Sequence, residues 1–105
     1  MRHLTSLKGL SKDEIVELLD LADNFIDSEG FIRRDPLFPD KKVVNIFCEP
    51  STRTKISFEI AAFNLGCQII DFDISSSSLE KGETFKDTID NLAKMNINLC
   101  VLRHK

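Results

Sequence analysis

Three short apolar runs at similar spacing constrain this chain more than any other feature: VVNIFC at 43–48, CQIIDF at 67–72 and NLCVL at 98–102. Each has strand length and is apolar at consecutive positions, so it offers apolar side chains to both faces of a sheet. The segments between them read as helices. KISFEIAAFNLG carries apolar residues at helical spacing and stops at Gly66. GETFKDTIDNLAKM turns Ile89, Leu92 and Ala93 inward, with Glu83 and Asp87 early, where acids complement the positive end of the helix dipole. The order is β-α-β-α-β, and the expected fold is α/β, a parallel sheet with right-handed crossovers.

A further helix precedes this unit. In SKDEIVELLDLADNFID, Ser11 as N-cap and Glu14 three residues on form a capping box, each side chain satisfying a free backbone donor. Ile15, Leu18, Leu19, Ala22, Phe25 and Ile26 recur at helical spacing and predict one buried face. Residues 28–41, with Gly30, Pro36 and Pro39, read as a loop or partly extended connection.

The 105 residues allow one domain at most. A net charge of −3 argues against general nucleic-acid binding, which needs a basic surface, so any anion site must be a local positive cluster. No apolar run approaches the roughly 20 residues of a membrane span, and MRHLTSLKGLSKDE has no apolar signal core. Cys48, Cys67 and Cys100 lie within or beside apolar runs, without C-x-x-C or His/Cys ligand spacing. They are expected to be buried free thiols in a cytoplasmic protein, with no metal site. His3 and His104 have no identifiable acid or nucleophile partner. The sequence stops at Arg103-His104-Lys105, directly after a buried-type strand, and three parallel strands leave two open edges. A fragment of a larger domain is therefore expected.

In open α/β sheets ligands gather outside the carboxyl ends of the strands. The segments leaving those ends are EPSTRT, DISSSSLEKGE and RHK, and each brings a cation: Arg53, Lys81 and Arg103. Pro50 favours an extended residue before it, so the strand should turn sharply there. Beyond the turn, a helix start presents free N–H groups and a positive dipole end. Ser51, Thr52 and Thr54 can donate hydroxyls to phosphate oxygens, and Arg53 can bind two oxygens with its planar fork. Two readings remain open: an anion socket, or an ordinary cap by Ser51 or Thr52 with Arg53 in solvent. The glycines of a P-loop or dinucleotide fingerprint are missing.

EPSTRTKISFEIAAFNLG resembles the carbamoyl phosphate signature of the aspartate and ornithine carbamoyltransferases. SSSSLEKGETFKDT, followed by a helix, a strand and LRH, is similar to the aspartate-specific branch, in which a serine-containing loop ends in lysine-glycine-glutamate. HLTSLKGLSKDEIVELLDLA is similar to the family's first helix and its lead-in, so the resemblance spans essentially the whole chain.

The resemblance implies that Ser51, Thr52, Arg53 and Thr54 form a phosphate-binding turn, with Thr54 also reaching the carbamoyl oxygen. It implies that Arg103 contacts that oxygen, and that Ser78 (or Ser77) and Lys81 reach the active site of an adjacent subunit. Glu49 and Glu83 match acids with structural or interface roles. The implied catalytic set is Arg53, Thr54 and Arg103; the implied substrate-binding set adds Ser51, Thr52, Ser78 and Lys81.

The implied reaction is carbamoyl transfer from carbamoyl phosphate to L-aspartate, an early step of de novo pyrimidine synthesis, with no metal or cofactor. The implied assembly is a homotrimer of catalytic chains with shared active sites, to which regulatory chains can be added. Residues 1–105 would be the N-terminal part of a carbamoyl phosphate-binding domain, without the aspartate-binding domain and without turnover alone. Another amine acceptor such as ornithine, or a non-catalytic anion-binding or subunit-interaction module, are the alternatives.

Overall fold

In the computed structural model, which describes residues 3–48, 51–72 and 85–103, strand β1 (Lys42–Phe47) is the centre of a three-stranded parallel sheet. The order is β2-β1-β3, with β2 at Gln68–Phe72 and β3 at Leu99–Arg103. Helix α2 (Thr52–Asn64) joins β1 to β2, and α3 (Phe85–Lys94) precedes β3. Val43, Val44, Asn45 and Ile46 are all buried, as a strand covered on both faces requires. β2 and β3 are edges and keep most of their residues exposed or half-exposed, so the continuous apolar runs describe β1 better than its neighbours.

The register fixes which side chains share a face. Val43, Val44, Asn45 and Ile46 lie beside Ile69, Ile70, Asp71 and Phe72 on β2. On β3, Asn45 lies beside Val101 and Phe47 beside Arg103. Val44 and Ile46 pack with Leu92, Ile89 and Ile97, so α3 covers that face. Successive strand residues point to opposite faces, which puts Asn45, Asp71 and Arg103 on the other side. There Lys55 of α2 pairs with Asp71 at 3.1 Å, so α2 covers this second face. Helices on opposite faces are what right-handed crossovers demand when the chain steps to β2 on one side of β1 and to β3 on the other.

The end of α2 explains Gly66. Its φ of +79° is a left-handed value, and an added Cβ would sit 2.8 Å from the Cα and Cβ of Pro36. The 35–38 segment runs close because it closes the helix end: Asp35 N–H donates to the Asn64 carbonyl at 2.7 Å and Phe38 N–H to that of Leu65 at 3.0 Å. Beyond α3, Asn98 starts β3 by accepting the Lys42 N–H on its side chain at 2.9 Å.

Residues 1–33 and 34–105 form two compact units. In the first, α1 spans Lys12–Asp23 and carries the expected capping box. It ends four residues earlier than the 11–27 expectation, because Asp27 leaves the helix to hold a turn. Its carboxylate accepts the N–H groups of Glu29 and Phe31, both at 2.9 Å, and Ile26 bridges to Ile32.

Three burial expectations are corrected. No residue of α1 is fully buried, Leu19 being 61% exposed and Ile15 half-buried: periodicity specifies a face but not what lies against it. Ala93 points outward, the inward positions of α3 being Ile89 and Leu92. The cysteines are free but not fully buried, with Cys48 and Cys67 half-buried and Cys100 exposed on an edge strand. Among the described residues no helix is long and apolar enough to cross a membrane.

Candidate functional site

The carboxyl ends of β1 and β3 adjoin, and the ladder sets their spacing. Phe47 pairs with Arg103, and Cys48 N–H donates to the Arg103 carbonyl at 2.9 Å. β1 ends at Phe47, and Ser51, whose backbone (φ −156°, ψ 71°) is non-helical, directly precedes α2 at Thr52. Ser51 has the position and residue type of an N-cap. Among the described residues, however, its side chain accepts no backbone N–H of the helix. Its hydroxyl oxygen instead accepts from Arg103 Nη1 at 2.7 Å. The same nitrogen lies 3.4 Å from Thr54 Oγ1, a longer and weaker bond.

The two readings of the serine differ in where its hydroxyl bonds. An N-cap hydroxyl spends its acceptor capacity on the first turn of its own helix. Here it goes to a guanidinium 52 residues away in sequence, and a hydroxyl that accepts from a cation can still donate its own hydrogen. An arginine donating into a hydroxyl polarises it and makes it a better donor to an anion. The start of α2 contributes a positive dipole end beside the Arg103 cation. Thr52 and Arg53 occupy the first turn and are exposed, with Ser51 and Thr54 half-buried. The Arg53 carbonyl accepts from Ser57 Oγ at 2.9 Å, one turn on.

Of the sequence-derived candidates, Ser51, Thr54 and Arg103 are brought together, with Thr52 and Arg53 on the same turn. Ser78 and Lys81 lie outside the described residues, as do Ser77, Glu49, Glu83 and His104. Two groups escaped the sequence reading. Lys55 reaches from the first turn to Asp71 of β2, so α2 is tied to both edge strands. Asn45, on the central strand between those ties, is 1% exposed, and neither side-chain polar atom has a hydrogen-bond partner. The available signal for both was a polar residue interrupting an apolar run, Asn in VVNIF and Asp in QIIDF.

Residues 2–105 match the family described as aspartate/ornithine carbamoyltransferase, carbamoyl-P binding domain. The chain belongs to this family. It is 46% identical over 104 residues to an aspartate carbamoyltransferase catalytic subunit of Sorangium cellulosum, covering 98% of this chain and 32% of that protein. Among solved structures it resembles the catalytic subunit of M. jannaschii aspartate transcarbamoylase, at a TM-score of 0.87 and 40% identity, covering 100% of this chain and 35% of the other. It also resembles the Trypanosoma cruzi aspartate transcarbamoylase crystallised with carbamoyl phosphate and aspartate, at a TM-score of 0.84 and 32% identity, covering 98% of this chain and 32% of that one. The chain therefore spans about a third of the length of the relatives it matches.

Proposed function

We propose that the start of α2 and the end of β3 form the phosphate half-site of an aspartate carbamoyltransferase, and that residues 1–105 are part of its carbamoyl phosphate-binding domain. The observation that carries this reading is the Arg103 guanidinium at 2.7 Å from the Ser51 hydroxyl, at a helix start that this serine does not cap. Ser51, Thr52, Arg53 and Thr54 hold the phosphate through hydroxyls, backbone N–H groups and the Arg53 fork. Thr54 and Arg103 face the carbamoyl oxygen. Ser78 and Lys81 enter from an adjacent subunit of a trimer, and the aspartate-binding domain lies outside these residues.

In the reaction the amine nitrogen of L-aspartate bonds to the carbonyl carbon and gives up a proton, which the departing phosphate takes up. The bond from that carbon to the bridging oxygen breaks, and phosphate leaves with the electron pair. Negative charge grows first on the carbonyl oxygen and then on the phosphate. Fixed cations and hydroxyls aimed at both stabilise the transition state without a covalent enzyme intermediate, and holding two small substrates in register adds an orientation gain. The product, N-carbamoyl-L-aspartate, enters de novo pyrimidine synthesis. L-aspartate is the proposed acceptor because the similar proteins described above are aspartate enzymes. The test supplies the full-length protein with carbamoyl phosphate and either L-aspartate or L-ornithine. N-carbamoyl-L-aspartate is the expected product, and carbamoylation of ornithine alone contradicts the proposed acceptor.

A further inference from the structure

Asn45 is the one described residue whose buried side-chain polar atoms lack any hydrogen-bond partner. A buried carboxamide without partners is costly, while an apolar side chain of similar shape in its place is near neutral or stabilising. Its neighbours along the strand, Val43, Val44 and Ile46, are the apolar residues this environment favours. Fold stability alone therefore does not account for an asparagine here.

Its position does. Asn45 shares a rung with Asp71 on β2 and Val101 on β3, and Phe47 and Arg103 form a rung two residues further toward the carboxyl ends. Asn45, Asp71 and Arg103 lie on the face covered by α2. The first turn of α2 is tied on one side by Lys55 to Asp71 and on the other by Ser51 and Thr54 to Arg103. The turn thus straddles β1, and Asn45 is the polar group of β1 between the two ties.

We propose that Asn45 is a positioning residue for the anion turn, its carboxamide bonding the underside of the first turn of α2 when that turn closes on phosphate. This rests on the phosphate-site reading above. The amide can donate from Nδ2 and accept at Oδ1. Its rung holds an acceptor, the Asp71 carboxylate, and the first turn of α2, tied to Asp71 on one side and Arg103 on the other, carries two donors, the Lys55 ammonium and the Thr54 hydroxyl. Phosphate draws Arg103 and the hydroxyls toward itself, and the turn then settles where the amide finds partners. A bond formed only in the anion-holding arrangement raises affinity for the anion through its differential stabilisation of that arrangement.

The test compares Asn45→Val with Asn45→Thr, near-isosteric β-formers that differ in a hydrogen-bonding group, in the full-length protein titrated with inorganic phosphate, with Arg53→Ala as control. Asn45→Val is expected to melt at or above the wild-type temperature yet bind phosphate about 3- to 10-fold more weakly, the range of one lost hydrogen bond. Asn45→Thr is expected to regain part of that affinity. Unchanged affinity in Asn45→Val, equal losses in both variants, or failure of Asn45→Val to fold would each overturn the positioning role. If Arg53→Ala weakens phosphate binding while Asn45→Val does not, only the role of Asn45 falls. If neither substitution changes affinity, the phosphate site itself falls and takes this inference with it.

Discussion

Two helices in this chain begin at a serine, and they use it in opposite ways. At the start of α1, Ser11 Oγ accepts the Glu14 N–H at 3.1 Å and the Glu14 carboxylate accepts the Ser11 N–H at 3.2 Å, so the helix end is closed upon itself. At the start of α2, Ser51 leaves the backbone alone and takes its hydrogen bond from Arg103 at the end of another strand. The first arrangement satisfies the helix and presents little to a ligand. The second leaves first-turn donors and adds a cation. A serine ahead of a helix is thus not informative in itself; the partner of its hydroxyl is.

The largest expected effect in breaking this contrast comes from the cation. Arg103→Ala should weaken inorganic phosphate binding by about 10- to 100-fold in calorimetry, given roughly 1.5–3 kcal/mol for hydrogen bonds to charged groups. Arg103→Lys should restore little of it, since an ammonium lacks the planar fork. Next come the two serines, with opposite readouts. Ser51→Ala should lower phosphate affinity about 3- to 10-fold and leave the denaturant midpoint nearly unmoved. Ser11→Ala should cost about 1 kcal/mol of stability and leave phosphate affinity unmoved. If both serines behave alike in both assays, the contrast is lost. The smallest effect is expected at the β2 tie. Asp71 is 76% exposed, so Asp71→Asn should change phosphate affinity by less than about twofold at physiological salt. A larger change would shift the weight of holding the turn from β3 to β2.

Much of this was legible in the sequence, for identifiable physical reasons. Strand-length apolar runs and Gly66 stops are local signals, and they placed β1, α2, β2, α3 and β3 to within a few residues. Ser11 and Glu14 announce the α1 cap because both partners lie within one turn. Residue chemistry at Ser51, Thr54 and Arg103 was compatible with an anion, yet it left both a cap and a socket open. The Arg103–Ser51 bond that favours the socket joins residues 52 positions apart, and only the parallel register of β1 and β3 brings them together. Burial was the least legible. The stripe of α1 is periodic but not fully buried, since an apolar face does not state its partner. Asn45 passed as one polar residue in an apolar run, because its orphaned atoms depend on what surrounds it in three dimensions.

The most direct test places both helix starts in one spectrum: a two-dimensional amide proton–nitrogen correlation recorded while inorganic phosphate is titrated into the protein. Saturable shifts are expected at the N–H groups of Thr52, Arg53 and Thr54 and at the Arg103 side chain, with the N–H groups of Lys12, Asp13 and Glu14 left in place. Movement at both helix starts alike, or at neither, would contradict the assignment of α2 as the phosphate-binding end.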